Sequence, residues 1–164
     1  MVESKCEIME KRNTIVKISR KHLPVDIVKD LILTLDPSFA KRLAEDVNID
    51  AYSLKLSEHA DFEVADFSGS WGGGGGIAFY ENKKELYITY VCVSVTKRRM
   101  GVADLLLHSV CSYADEVAKP ISLEVWTSNA KAIRLYEKHG FEKVRSGTDK
   151  FYMTRPCKVS IQQE

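Results

Sequence analysis

The chain has 164 residues, of which 45% are hydrophobic and 29% are charged, and its formal net charge is +1. This length and composition are typical of one water-soluble domain with its own hydrophobic core. A net charge so close to zero gives no overall field that would attract nucleic acid or a membrane surface, so an anion site would have to be local. No apolar stretch reaches the ~20 residues of a membrane span. The opening segment MVESKCEIMEKRN lacks the apolar core of a signal peptide.

The four cysteines are widely separated along the chain and form no CxxC pair, which argues against a zinc ribbon or a redox motif. Cys92 and Cys111 lie in apolar runs, so we expect both to be buried free thiols. Free thiols are typical of a reducing compartment, and we therefore expect a cytoplasmic protein.

In the first half of the chain, alternating apolar residues predict a strand at 14–19. Apolar residues at helical spacing follow Pro24, and a shorter helix is predicted to begin at Pro37, because proline suits the first turn of a helix. Aromatic and β-branched runs then predict three strands and a turn. These strands are 62–67, 77–82 and 85–95, and the turn is 82–85.

In the second half, the apolar spacing becomes helical from Gly101 to about Lys119, where Pro120 ends the helix. The other predicted elements are strands at 121–126, 141–144 and 151–155 and a helix at 128–140. We assign residues 1–156 to one domain and 157–164 to a polar C-terminal tail.

The helix at 128–140 has clear signals at both ends. Ser128 or Asn129 caps its start, and Gly140 occupies the C-terminal cap position. Lys138 and His139 favour the negative end of the helix dipole. His139 is expected to lie on the solvated surface of this helix.

Five consecutive glycines, Gly72–Gly76, raise the question of whether this run binds phosphate. Walker-type and Rossmann loops both continue into a helix. Here Ile77 begins a strand, and strand amides pair with neighbouring strands instead of converging on a phosphate. The run is therefore predicted to be a flexible hairpin that does not touch a cofactor.

A better anion site is predicted in TKRRMGVADLLL, residues 96–107. A strand ends and a helix begins here, so unpaired helix amides combine with the cations Lys97, Arg98 and Arg99. Gly101 permits close approach of the backbone, and the small Ala103 does not block it. This combination suits a pyrophosphate, although a solvated basic turn is equally compatible with these residues alone.

The spacing Arg98-x-x-Gly101-x-Ala103, between an apolar strand and an amphipathic helix, resembles the acetyl-CoA pyrophosphate motif of the GNAT N-acetyltransferase superfamily. Ala103 stands where glycine is commoner, which is an accepted variant. The segment LEVWTSNAKAIRLYEKHGF, 123–141, resembles the second characteristic block of the same family. The two blocks occur in the family's order and at its usual separation. The likeness is close from about Tyr87 to Phe151, whereas residues 1–70 match only in the order of elements.

The resemblance implies an α/β (α+β) fold with a mixed, twisted sheet of six or seven strands and about four helices. Its two central parallel strands, here 85–95 and 121–126, would splay apart to admit acetyl-CoA as co-substrate. The first of these strands would bulge at Val91, Cys92 and Val93 and offer main-chain groups there to the pantetheine and the thioester. Main-chain amides of residues 99–104 would hold the pyrophosphate. The implied cofactor-binding residues are Val91, Cys92, Val93, Arg98, Arg99, Met100, Gly101, Val102, Ala103, Asp104 and Asn129.

The resemblance also implies two catalytic residues. Tyr136 matches the tyrosine beside the cofactor sulfur, where it would protonate the departing thiolate, although core packing alone would also explain an aromatic residue here. Glu124 matches a glutamate that serves as general base in some relatives that acetylate protein N-termini; in others, water does this work. The reaction requires neither a metal nor a covalent enzyme intermediate.

The leading hypothesis is an acyltransferase that acetylates a primary amine, most simply a small molecule. A protein N-terminus or a lysine side chain is the alternative acceptor. A non-catalytic module that binds or senses acyl-CoA is a hypothesis of another class, which Tyr136 and Glu124 disfavour. Nucleic-acid and membrane partners are not expected. The sequence leaves the oligomeric state open, with a homodimer as one option, and likewise the length of the acyl group.

Overall fold

The structure is a computed structural model, and it describes residues 7–11, 14–67 and 70–158. Within these residues the chain forms eight strands, five α-helices and a short 3₁₀ turn at Val95–Lys97. The strands are β1 (Glu7–Lys11), β2 (Thr14–Lys21), β3 (Asp61–Phe67), β4 (Ser70–Glu81), β5 (Leu86–Val93), β6 (Ile121–Trp126), β7 (Glu142–Ser146) and β8 (Lys150–Arg155). The helices are α1 (Val25–Thr34), α2 (Pro37–Asp46), α3 (Ile49–His59), α4 (Val102–Glu116) and α5 (Ala130–Lys138).

All eight described strands belong to one sheet, in the order β1-β2-β3-β4-β5-β6-β8-β7. Among these strands, β5 and β6 form the one parallel pair, and the other neighbours are antiparallel. A parallel pair needs a crossover connection, which α4 supplies. The predicted mixed α/β fold is confirmed.

The hydrophobic core lies on both faces of this sheet. One cluster packs Phe79 and Ile88 against Leu106 of α4 and Tyr136 of α5. The other packs Tyr90 and neighbouring strand residues against α1 and α3. None of the helices in the described part of the chain has the length and apolar character needed to cross a membrane.

β5 changes the orientation of its side chains at Thr89. Ile88 pairs with Phe79 and Tyr90 pairs with Ala78, so Thr89 is an extra residue in the ladder, which is a β-bulge. Before the bulge, Ile88 faces α4, and after it, Tyr90 faces α1 and α3. Both halves of the strand are therefore buried. The even-numbered residues face α4 before the bulge, and they face α1 and α3 after it.

Two elements extend the predicted pattern. β1, for which no strand was predicted, pairs with β2 and contributes to a described total of eight strands instead of six or seven. α3 is a fifth helix instead of about four. Its buried residues are Ser53 and Leu56, so its sequence shows little of the apolar periodicity on which helix prediction depends.

The prediction that the glycine run is a flexible hairpin is wrong, because the run lies inside β4. Gly75 pairs with Ala65 and Val93, in the middle of the sheet. A Cβ atom at Gly75 would lie 2.5 Å from the Cys92 carbonyl oxygen, and the backbone there has φ +151°. Glycine is therefore required at this position, where β4 lies against the main chain of β5. Residues 68 and 69, between β3 and β4, lie outside the described part of the chain.

Candidate active site

The parallel strands β5 and β6 separate partway along their length. Their register extends from Leu86 opposite Ile121 to Ile88 opposite Leu123 and ends there. Beyond this point the two strands line a cleft of about 620 Å³. The main-chain groups of β5 after Ile88 therefore have no ladder partner on β6. This divergence is the opening predicted between the central strands.

The cleft has walls on both faces of the sheet. Tyr136, in the cluster with α4, lines it from one face, and Phe39 of α2 and Tyr52 of α3 line it from the other. Glu124 and Trp126 alternate with the core residues of β6 and face α2. Tyr136, the candidate general acid, and Glu124, the candidate general base, thus lie on opposite faces of the sheet.

The predicted residues Val91, Cys92 and Val93 line the cleft together. The bulge, however, lies earlier than expected, at Thr89. The three later residues pair regularly with β4, for example Cys92 with Gly76. The glycine run thus lies directly behind the predicted cofactor strand, but Gly73–Gly76 do not line the cleft. That the run does not touch a cofactor stays a prediction.

Arg98 lines the cleft, as the predicted site requires, but its charge is not mobile. Its guanidinium donates to the carboxylate of Asp36, the residue that caps α2. The other oxygen of Asp36 accepts from the amides of Ser38 and Phe39 at 3.1 and 3.2 Å. Asp36 therefore joins the turn before α4 to the start of α2.

Gly101 caps the start of α4 with φ +77°, a left-handed conformation that favours glycine. Arg99 precedes it with φ +65° and is exposed. Of the predicted segment 98–104, only Arg98 lies on the lining of the cleft. Residues 99–104 continue from it as the turn and the first turn of α4.

Asp104 is engaged by α5 instead of facing the cleft. Lys138 Nζ lies 2.9 Å from its carboxylate, and His139 Nε2 lies 3.0 Å away. Burial alone would raise the pKa of Asp104, but the hydrogen bonds from these two residues outweigh it and lower the pKa. His139 is 15% exposed, so the expectation of a solvated histidine is wrong.

Asn129 caps α5, as predicted, because its side-chain oxygen accepts from the amide of Ala132 at 3.2 Å. It also lines the cleft. Tyr136 lies about two helical turns further along α5 and is 6% exposed. Burial raises the pKa of its hydroxyl well above the ordinary value, so the phenol is protonated at neutral pH.

Glu124 lies where the cleft is open to solvent. Its side chain is 31% exposed, and Lys150 Nζ approaches it to 3.9 Å. Burial and the negative charge of Glu124 raise the pKa of the neighbouring Tyr87 to about 12. Tyr87 is therefore a neutral phenol at neutral pH, and the partly exposed Glu124 lies beside it, where an amine from solvent can reach it.

Tyr52 supports the bulge from α3. Its hydroxyl donates to the Thr89 carbonyl oxygen at 2.8 Å and lies 3.0 Å from Thr89 Oγ1. This contact fixes the main chain at the point where the strands diverge. Tyr52, together with Asp36, Phe39, Asp46, Trp126 and Lys150, was not singled out from the sequence. The available signal was Asp36-Pro37, a capping residue followed by proline at the first helical position.

Cys92 lies in the cleft but has the properties of a buried thiol. It is 6% exposed, and burial raises its pKa to about 11. Cys111 is likewise buried, with a pKa raised to about 11 by burial. Both confirm the expectation of buried free thiols, and neither is a thiolate at neutral pH.

Known structures share this fold. The PaiA N-acetyltransferase of Thermoplasma acidophilum, solved with coenzyme A, is 15% identical with a TM-score of 0.67, over 85% of this chain and 98% of that one. A GNAT family acetyltransferase of Elizabethkingia anophelis, solved with acetyl-CoA bound, is 17% identical with a TM-score of 0.63, over 89% and 99%. The ribosomal-protein-S18-alanine N-acetyltransferase of Escherichia coli is 18% identical with a TM-score of 0.63, over 90% and 99%.

The family model of the acetyltransferase (GNAT) family matches residues 32–141, which is more than half of the chain. This range begins in α1 and ends just before β7, so it contains both diverging strands and the whole turn from Arg98 to α4. The chain therefore belongs to the GNAT acetyltransferase family.

Proposed function

We propose that this protein is an N-acetyltransferase that moves the acetyl group of acetyl-CoA to a primary amine by direct attack, with a small molecule as the acceptor. The observation that carries the proposal is the placement of Glu124 and Tyr136 on opposite faces of the opening between β5 and β6. A pure acyl-CoA sensor needs neither group.

Several groups are suited to hold the co-substrate. Beyond Ile88, the edge of β5 that faces away from β4 has no ladder partner on β6, and its main-chain groups are suited to the pantetheine arm and to the oxyanion of the reacting carbonyl. Arg98 and the first amides of α4 after Gly101 are suited to the pyrophosphate. The cap uses Oδ1 of Asn129, which leaves its Nδ2 amide for the cofactor arm.

When bound, acetyl-CoA supplies a thioester that an uncharged amine can attack. Glu124, directly or through water, takes the proton that the amine nitrogen loses as the C–N bond forms. Tyr136 gives its hydroxyl proton to sulfur as the C–S bond breaks. Glu124 then releases its proton to water, and Tyr136 recovers a proton from water. The products are an amide and free CoA, and the protein ends in its starting protonation state.

The test is a panel of primary amines incubated with acetyl-CoA and the purified protein. Thiol release measures turnover, and mass spectrometry identifies the acetylated product. We expect small amines to be acetylated. If only peptides react, at an N-terminus or a lysine, the acceptor assignment is wrong. If calorimetry shows acetyl-CoA binding but no amine or peptide reacts, the protein is an acyl-CoA-binding module instead.

A further inference from the structure

The face of the cleft that bears Glu124 is lined by aromatic rings. The ring of Phe39 lies 5.8 Å from that of Tyr90 on β5 and 5.6 Å from that of Trp126 on β6, centroid to centroid. Phe39 therefore spans the opening between the diverging strands. Tyr52 and Tyr87 extend the aromatic lining. Such a surface recognises an apolar body better than a heavily hydrated one.

Polar side chains link α2 to β6 and β8 at the end of the cleft that bears Glu124. Trp126 Nε1 donates to Asp46 Oδ2 at 3.0 Å. Lys150 Nζ lies 3.6 Å from the same oxygen and 3.9 Å from Glu124 Oε2. We call Asp46, Trp126 and Lys150 the α2–β6 bridge. This bridge joins α2 to β6 and β8 beside Glu124. An extended polyamine or peptide chain bound at Glu124 would therefore have to displace it.

The charges around the cleft also limit the acceptor. Within the described residues, three carboxylates line it, at Asp36, Asp46 and Glu124. Arg98 holds Asp36, and the bridge holds Asp46. Glu124 is left as the carboxylate most available to a substrate ammonium. A polycation would find one partner here and would leave its other charges beside Arg98, Lys131 and Lys150.

We propose that the acceptor is a compact monoamine with an apolar body, and that the α2–β6 bridge excludes polyamines and peptide chains. This inference rests on the proposed function, which it narrows to a class of acceptor. The amine nitrogen lies towards Glu124 and its apolar body against Phe39 and Trp126. Asp46 and Trp126 thus determine acceptor length and charge without taking part in the chemistry.

The first experiment compares kcat/KM for 2-phenylethylamine, spermidine and a hexapeptide with a free N-terminus. We expect the monoamine to exceed both others by at least about tenfold, the range that pocket contacts can supply. Asp46→Ala and Trp126→Phe, which each remove the hydrogen bond of the bridge, should raise the hexapeptide-to-monoamine ratio. Asp50→Asn is the matched control, because Asp50 pairs with Lys29 outside the cleft and should leave the ratio unchanged.

The second experiment measures binding without turnover. Conjugates that join CoA through an acetyl linker to 2-phenylethylamine or to the hexapeptide are titrated into the wild-type protein. We expect the monoamine conjugate to bind at least about tenfold more tightly. Equal binding, or tighter binding of the peptide conjugate, would overturn the inference even if small amines are acetylated. Discrimination between the conjugates without any turnover would support it and count against the proposed enzymatic function instead.

Discussion

Arg98 and Asp36 form an ion pair that connects the predicted pyrophosphate turn to the first residue before α2. Arg98 is 51% exposed, whereas the Asp36 side chain is 10% exposed. The guanidinium therefore has donors free for a ligand while the buried carboxylate holds it in position. The ion pair thereby links the cation of the predicted pyrophosphate turn directly to the start of α2, which carries Phe39.

If Arg98 contacts the pyrophosphate, Arg98→Gln should weaken CoA binding by roughly 1.5–3 kcal/mol, the usual value of a hydrogen bond to a charged group. Calorimetry at two salt concentrations measures it, and the variant should show the weaker salt dependence. Arg134→Gln makes the same change of charge on the exposed surface of α5 and should bind CoA normally. Equal affinities for the two variants would remove Arg98 from the site.

Tyr136→Phe should retain acetyl-CoA binding, because the ring still packs against Phe141, 5.7 Å away between centroids. Turnover should fall by roughly 10²–10⁴, the usual contribution of a placed general acid, with the loss in kcat rather than KM. Since burial raises the pKa of Tyr136, the wild-type rate should not decline through ionisation of this group below about pH 10. A lowered melting temperature with full turnover per folded molecule would instead indicate a packing role.

Cys92→Ala should retain most of the turnover, because the thiol is protonated at neutral pH and direct attack needs no acetyl-enzyme. Initial rates should depend on both substrates as in a ternary-complex mechanism. Cys111→Ala is a suitable control for the loss of a buried sulfur outside the cleft. Acetylated Cys92 in a mass spectrum, together with ping-pong kinetics, would contradict direct transfer.

Gly75→Ala should destabilise the fold by about 1–3 kcal/mol, the cost of a side chain in a strained backbone conformation, and should also weaken acetyl-CoA binding through β5. The matched variant is Gly76→Ala, where the nearest atom to a new Cβ is 3.4 Å away. Chemical denaturation compares the two. Equal stabilities would show that β4 and β5 can move apart and that the close approach is not required.

The elements with local signals were predictable from the sequence, and those set by distant contacts were not. Asn129 caps the start of α5 through local chemistry, as predicted. The C-terminal cap is His139, one residue before the predicted Gly140, which follows with φ +91°. The glycine run was misinterpreted because its requirement comes from Cys92, which lies 17 residues after Gly75 in the chain. A flexible turn and a closely packed strand both favour glycine, and only the register between β4 and β5 distinguishes them.

In the candidate site, too, residues in local motifs were predictable from the sequence, and residues joined by distant contacts were not. Arg98 and Tyr136 lie in continuous motifs and both line the cleft, while their roles stay predictions. The bridge joins Asp46 to Trp126, 80 residues apart, so neither residue carries a local sign of the contact. His139 was misplaced because its partner Asp104 lies on another helix.

The bulge at Thr89 has a consequence for how β5 can change. Since one inserted residue sets the orientation of every later side chain, its deletion would turn Tyr90 and Cys92 towards α4, and Val91 and Val93 towards α1 and α3. The hydropathy of the strand would hardly change, because nearly every residue from 86 to 93 is apolar or aromatic. The amino-acid composition of β5 would therefore not reveal the exchange, although different side chains would line the cleft.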